Sequence, residues 1–104
     1  MQNIKEQIKI NDEVIFKIKP YYDSLSELHD GIVTGIYEDG VMIHYLYGYK
    51  SEADTVKWED LMIIGDKENG EYFKIRGYSG RGRILNREIL NNFFEWEWVC
   101  YWTV

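Results

Sequence analysis

The sequence has few of the residues that cross-link a chain, break its strands or anchor it in a membrane. Its 104 residues include one cysteine and one proline. A single thiol, Cys100, excludes an intramolecular disulfide and a zinc site built on several cysteines, so we expect it to be packed. No apolar run is long enough for a bilayer helix, and no signal-peptide pattern opens the chain. We therefore expect a cytoplasmic protein without a membrane partner.

Arginine is absent from the first half of the chain, and the charge is divided accordingly. Residues 1–64 carry six lysines and twelve acidic residues, so the whole net charge of −6 lies in this half. Residues 65–104 carry six basic and six acidic residues and hold all four arginines. Proteins that bind duplex DNA present a basic surface to its phosphates, so duplex DNA is not an expected partner.

Catalytic and metal-binding motifs are missing as well. The two histidines, His29 and His44, are not spaced with other groups as any known nucleophile or metal site requires. His44 stands between apolar residues of a predicted strand, which favours a packed ring, and His29 with Asp30 reads as a polar turn. We expect no enzyme activity, no metal and no cofactor.

Aromatic residues are abundant, at nine Tyr, four Trp and four Phe. Large rings bury much area per residue, so even a chain of this length can build a core from them. Aromatic side chains also favour strands, and the composition therefore indicates a mainly β protein.

Short strands separated by turn residues fill residues 11–64. Alternation predicts a first strand over 14–19, which Pro20 ends, followed by a polar loop over 21–29. Asp39-Gly40 between two apolar runs predicts a hairpin. Its second strand is apolar on both faces, so we expect the second half of the chain to cover it. The predicted elements are hairpin strands over 31–37 and 41–47, a polar turn over 48–53, a strand over 54–58, a 3-10 turn over 58–61 and a strand over 62–64.

The stretch VKWEDLMII at 56–64 places an acidic tight turn between two hydrophobic strands. In this it resembles the closing segment of SH3-like and Tudor-like barrels, a fold that many unrelated families share. The resemblance covers about half of the chain. It implies a five-stranded barrel over 11–64, with a lead-in over 1–10 and a C-terminal β extension over 65–104 packed on it as one compact domain.

The extension itself contains three patterned stretches. Alternation predicts a strand over 71–76, and the glycines of GYSGRGR at 77–83 predict a flexible loop. Residues 84–92 fit a short helix or a strand. Residues 94–102 alternate with three tryptophans on one face, which predicts a strand laid across the barrel or paired with its edge.

The resemblance to Tudor-like domains that read methylated lysine or arginine implies an aromatic cage. Those domains build it from the first loop and the ends of the second and third strands, because ring faces attract cations. The matching rings here are Tyr21, Tyr22, Tyr45, Tyr47 and Trp58. Exposed carboxylates would favour the same cation, and the candidates are Glu38, Asp39, Glu59 and Asp60. The alternative is that these rings fill the core.

The arginines of the second half form a different candidate site. Guanidinium groups bind phosphate with two hydrogen bonds, and a tyrosine ring can stack on a base. The candidate contacts for RNA or another single-stranded nucleic acid are Arg76, Tyr78, Arg81 and Arg83. The alternative is a solvated loop with no ligand.

These features together predict a small acidic binding protein that acts by contact with another macromolecule. We expect its partner to be a basic surface of another protein, as for a bacterial or phage accessory or inhibitor protein. A module for RNA or single-stranded nucleic acid is the alternative. A structural or oligomerising protein, built on the aromatic terminal strand, is the second alternative.

Overall fold

A computed structural model describes residues 4–18, 27–75 and 78–85, and the backbone of residues 99–100. Within these residues the chain is mainly β, and its one helix is too short to cross a membrane. A 3-10 turn, Trp58–Asp60, lies between the fourth and fifth strands. The helix and strands are α1 (Ile4–Gln7), β1 (Glu13–Ile18), β2 (Glu27–Ile36), β3 (Gly40–Tyr47), β4 (Lys50–Lys57), β5 (Leu61–Gly65), β6 (Glu71–Ile75), β7 (Tyr78–Ile84) and β8 (Val99–Cys100).

The strands form one antiparallel sheet in the order β4-β3-β2-β1-β5-β7-β6-β8. Among the described strands, β4 and β8 lie at the two ends and do not pair with each other, so the sheet is open. The closed five-stranded barrel expected over 11–64 is therefore not what these strands form. The reason is that β7 pairs with the outer edge of β5 and extends the sheet beyond it.

Strands β1 and β5 are buried on both faces, which divides the apolar residues into two cores. Val14 and Phe16 of β1 belong to one core, and Ile15 between them belongs to the other. On β5, Ile64 belongs to the first core and Ile63 to the second. Strands β2 to β4 cover the first face, and β6 and β7 cover the second.

The described part of the lead-in, residues 4–10, packs on the first core through Ile4 and Ile8. Ile8 is only 4% exposed and packs with Val14 and Val33. Asn11, which has a left-handed backbone (φ 75°), donates its N–H to the carbonyl of Val33 at 2.8 Å. Asparagine tolerates this conformation better than most residues, so it turns the chain sharply from the lead-in into β1.

The described part of GYSGRGR, residues 78–83, lies in β7 and is not a flexible loop as predicted. Residues of β7 pair with β5 on one side and with β6 on the other. A Cβ atom at Gly82 would lie 2.6 Å from Cγ2 of Ile63 and 2.8 Å from the carbonyl oxygen of Ile64. The glycine is thus required for close approach to β5, a role that glycine has in strands as well as in loops.

Two further strands are longer than predicted. Strand β2 begins at Glu27, so His29 and Asp30 lie in a strand that pairs with β1 and not in a turn. Strand β4 begins at Lys50, and the predicted polar turn over 48–53 is reduced to two residues, Gly48 and Tyr49. Pairing with β3 extends β4 over polar residues of weak strand preference, because tertiary context overrides that preference.

The second face of β3 is not covered as expected: His44 is exposed and Leu46 is 68% exposed. Strands β6 and β7 pack over β1 and β5 instead, which lie further along the sheet. Of the predicted terminal strand only Val99–Cys100 is described, and it pairs with β6. The polar loop up to 26 and the stretch 86–92 lie outside the described residues.

Two leucines provide a matched test of this core assignment. Leu61 is 1% exposed, so we expect Leu61→Ala to lower the free energy of unfolding by about 2–5 kcal/mol through lost burial and a residual cavity. Leu46→Ala removes the same atoms from an exposed site and should change it by less than about 0.5 kcal/mol. Urea unfolding followed by tryptophan fluorescence measures both, and equal losses would contradict the assignment.

Candidate functional site

The two acidic turns predicted as a binding surface lie side by side, where β3 begins and β4 ends. Glu38 and Asp39 form the turn between β2 and β3, and Glu59 and Asp60 lie in the 3-10 turn after β4. The indole Nε1 of Trp58 donates a hydrogen bond to the backbone carbonyl of Glu38 at 2.8 Å. Trp58 therefore joins the two turns, so all four carboxylates lie beside the start of β3 and the end of β4.

Lysines from elsewhere in the chain neutralise part of this charge. Lys5 Nζ lies 2.8 Å from Glu38 Oε2 and lowers the pKa of that carboxyl by donating a hydrogen bond to it. Lys17 Nζ lies 3.1 Å from Asp60 Oδ1, and both side chains are half-buried. Asp39 and Glu59 are exposed and have no ion-pair partner among the described residues. These two remain the more available carboxylates of the four.

The aromatic candidates do not form one cage. Tyr45 and Tyr47 lie near the far end of β3, whereas Trp58 follows the strand that pairs with its beginning. Gly40 and Tyr47 are seven residue steps apart along an extended strand, a distance of roughly 23 Å. Tyr21 and Tyr22 lie outside the described residues. Trp58 accordingly belongs to the acidic turns and not to the tyrosine cluster.

Tyr45 is a core residue. It is 8% exposed, packs edge-to-face on Phe16 with ring centroids 5.3 Å apart, and donates its hydroxyl proton to the carboxylate of Asp54. Burial and the hydrogen bond to Asp54 raise the pKa of the phenol well above its usual value. Its face is therefore occupied by packing, whereas Tyr47 is only half-buried.

His29 joins this cluster although its position in the sequence predicted a turn. Its ring lies 5.4 Å from that of Tyr47 and 5.9 Å from that of Tyr45. Its Nε2 atom lies 3.1 Å from Oε2 of Glu27, so a carboxylate stands beside the rings. The missed signal is the start of β2: with the strand begun at Glu27, alternation places His29 on the face of Phe16.

The arginines of β7 have different surroundings, and Arg76 lies outside the described residues. Arg83 donates from its two terminal nitrogens to the side chain and the carbonyl of Gln7, at 3.3 and 3.2 Å. Its Nε atom lies 3.5 Å from Oδ2 of Asp66. Arg81 is exposed on the same strand. Arg83 thus ties α1 to β7, and of the two described arginines Arg81 is the one that a ligand could reach.

A groove of about 750 Å³ runs along the second face of the sheet. Ile15, Ile63 and Phe73 lie among its apolar lining. Tyr78 is half-buried at this groove and donates to the carbonyl of Leu28 at 3.4 Å, and burial raises the pKa of its phenol. The charged lining is mixed, because it includes Asp12, Glu13 and Asp30 as well as Lys67 and Arg81. This mixture favours neither a polyanion nor a polycation.

In the described part of the chain, no three histidine, cysteine, aspartate or glutamate residues are grouped as metal ligands. Comparison of the chain with protein-family models, curated proteins and solved structures gives no match. Only the geometry and charge of this chain therefore bear on its function.

The hydrogen bond between Tyr45 and Asp54 predicts a stability change at high pH. The pKa of Tyr45 is raised above 10.0 in the folded state, so the unfolded state loses the phenol proton first. Stability from this group is complete below pH 10 and falls as the pH rises toward the folded pKa, by up to about 1.4 kcal/mol per pH unit. Urea unfolding measured from pH 9 to pH 11.5 should show that the free energy of unfolding falls less steeply with pH for Tyr45→Phe than for the wild type. The matched control is Tyr49→Phe, at a fully exposed ring, which should keep the wild-type slope.

The contrast between Arg83 and Arg81 gives a second prediction. Arg83→Ala removes the bonds to Gln7 and Asp66 and should lower the free energy of unfolding by about 1–2 kcal/mol. Arg81→Ala, at an exposed site on the same strand, should change it by less than about 0.5 kcal/mol. Thermal unfolding followed by circular dichroism compares the two, and an Arg83→Ala protein as stable as wild type would contradict the role of Arg83 in holding α1.

Proposed function

We propose that this chain is a small non-enzymatic binding protein that contacts a basic surface of another protein. The observation that carries the proposal is the charge of residues 37–60, here called the acidic segment. It holds six acidic residues and two lysines, a net −4 out of the chain's −6. The segment comprises β3, β4 and the turns at their ends, which is the outer part of the sheet.

Exposure within the acidic segment supports contact with a partner. Asp39, Glu52 and Glu59 are exposed, and no described residue forms an ion pair with them. A concentration of like charge on one side of a small protein speeds the encounter with an oppositely charged surface and disfavours partners of the same sign. Nucleic acid, which carries the same sign, would be repelled from this side of the sheet.

The first five strands are, on this proposal, an SH3-like unit. Their order β4-β3-β2-β1-β5 and the 3-10 turn between β4 and β5 support the resemblance that the sequence carries. Strand β7 then occupies the edge of β5 and converts the unit into a larger open sheet. The fold does not select the partner, because one fold serves many functions.

An accessory or inhibitory role, as in bacterial or phage proteins, follows from the same charge. An acidic protein can occupy a nucleic-acid-binding surface by presenting carboxylates where phosphates would otherwise lie. The support is electrostatic complementarity between such a basic surface and the acidic segment. The competing candidate is a nucleic-acid module centred on Arg81 and Tyr78, at the groove on the second face.

The test neutralises the acidic segment and compares it with an equal change elsewhere. The triple variant Asp39→Asn, Glu52→Gln, Glu59→Gln should weaken binding of the retained partner at least about tenfold, because charge complementarity is lost. The matched control Glu6→Gln, Glu13→Gln, Glu68→Gln removes the same charge from exposed sites outside the segment and should bind as wild type does. Affinity capture from a lysate of the source organism, with identification of retained protein and RNA, supplies the partner for titration.

Three outcomes of this experiment oppose the proposal. If the protein retains RNA from the lysate and Arg81→Ala abolishes this retention, the nucleic-acid function would be assigned. Sedimentation that shows a stable oligomer with no other partner would assign the structural one. Equal loss of binding in both triple variants would show that total charge acts, and not the acidic segment.

A further inference from the structure

Strand β4 is an edge strand with few of the features that usually block strand addition. It ends the sheet among the described strands, and seven of its eight residues are exposed. Its pairing with β3 continues through all eight residues without a bulge, and it contains no proline. Its two lysines, Lys50 and Lys57, lie at the ends. Natural edge strands are commonly protected by bulges, proline or charged side chains, and in the middle of β4 only the negative charges of Glu52 and Asp54 give such protection.

The hairpin turn determines which backbone groups of β4 point outward. Gly48 has φ 64° at the first central position of a two-residue turn, as a type II′ turn requires. Tyr47 and Lys50, which flank it, exchange hydrogen bonds across the hairpin, and such pairs alternate along the ladder. The residues of β4 that lie between these hydrogen-bonded positions turn their N–H and C=O groups to the open edge. These residues are Ser51, Ala53 and Thr55.

The side chains at the open edge alternate in chemistry. Ser51, Ala53 and Thr55 are small and uncharged, so they leave the outward backbone groups accessible. Glu52 and Asp54, between them, share the face of Tyr45. The carboxylate of Asp54 accepts a hydrogen bond from the hydroxyl of Tyr45, and this bond holds the carboxylate in place. An added strand would therefore meet two carboxylates on one face, two residues apart.

We propose that β4 is the docking edge for an extended basic segment of the partner protein, which adds to the sheet as a further strand. Backbone bonds to Ser51, Ala53 and Thr55 hold the segment, a mode known from other sheet-edge complexes. Lysine or arginine at every second position lies opposite Glu52 and Asp54, since strand side chains alternate. The inference rests on the proposed function, because the basic character of the segment is taken from the charge of the acidic segment.

A second copy of this chain is the competing occupant of the edge. The chain carries a net charge of −6, which opposes its self-association. A symmetric antiparallel pairing centred on Ala53 would place Glu52 of one copy opposite Asp54 of the other. Like charges directly opposite each other destabilise paired strands, so charge favours the basic segment over a second copy.

The experiment uses the full chain, labelled with nitrogen-15, and a synthetic probe. The probe is a ten-residue capped peptide in which lysine alternates with threonine or valine. On binding, amide exchange at Ser51, Ala53 and Thr55 should slow by at least about tenfold, because their N–H groups become hydrogen-bonded. Amides of Glu52 and Asp54, already bonded to β3, should change far less. A probe N-methylated at alternate residues should not bind, and a probe with glutamate in place of lysine should not bind either.

A variant tests the same edge without altering its charge. Ala53→Pro removes one outward N–H, and proline is tolerated on an edge strand where the N–H faces solvent. It should weaken probe binding by about tenfold or more, through the lost bond and the blocked approach. Ala53→Thr keeps the N–H and should bind as wild type does. Circular dichroism confirms that both variants fold.

The outcomes separate this inference from the function on which it rests. Strand addition is supported if amide exchange slows at Ser51, Ala53 and Thr55 but far less at Glu52 and Asp54, and if Ala53→Pro weakens binding of the probe. Strand addition is overturned if all amides of β4 slow equally, if the slowed amides lie outside β4, or if the probe does not bind. The proposed function is then tested separately by the triple variant. Protection of the same three amides without probe, in a dimer seen by sedimentation, overturns this inference in favour of a second copy.

Discussion

The pairing of β1 with β5 is the constraint on which the rest of the structure depends. These are the two strands whose faces are both buried, with Phe16 on one side and Ile15 on the other. Two apolar faces require two coverings, so the chain supplies β2 to β4 for one and β6 with β7 for the other. The open sheet follows, because β7 reaches the second face by pairing with the edge of β5.

Burial at this central pair restricts where charge can be placed. On the buried faces of β1 and β5 a charged side chain would be desolvated, and the described residues have no buried polar or charged side chain in the core. Strand β4 is three strands away from β1, and only Val56 of its residues is buried. It can carry carboxylates without loss of core packing. The proposed contact surface therefore lies on the part of the sheet that the cores need least.

Prediction from the sequence succeeded where the signal was local and failed where a distant strand decided. The hairpin at Asp39-Gly40 and the 3-10 turn at Trp58 were predictable, because turn chemistry and alternation act within a few residues. The glycines of β7 read as a loop, since their contact with Ile63 and Ile64 lies almost twenty residues away along the chain. The candidate site divides in the same way: the positions of the four carboxylates in two turns were predicted, but the hydrogen bond from Trp58 that joins the turns was not.

The sequence by itself determined that the chain is mainly β, that its negative charge lies in the first half and that several short antiparallel strands follow one another. Composition and alternation carry this information because they depend on each residue's own chemistry. Within the described residues, tertiary structure alone decided that Tyr45 is packed while Tyr47 is half-buried, that Arg83 contacts Gln7 and Asp66 while Arg81 is exposed, and that β4 ends the sheet. Each of these depends on which strands become neighbours, and that choice is made by burial of both faces of β1 and β5.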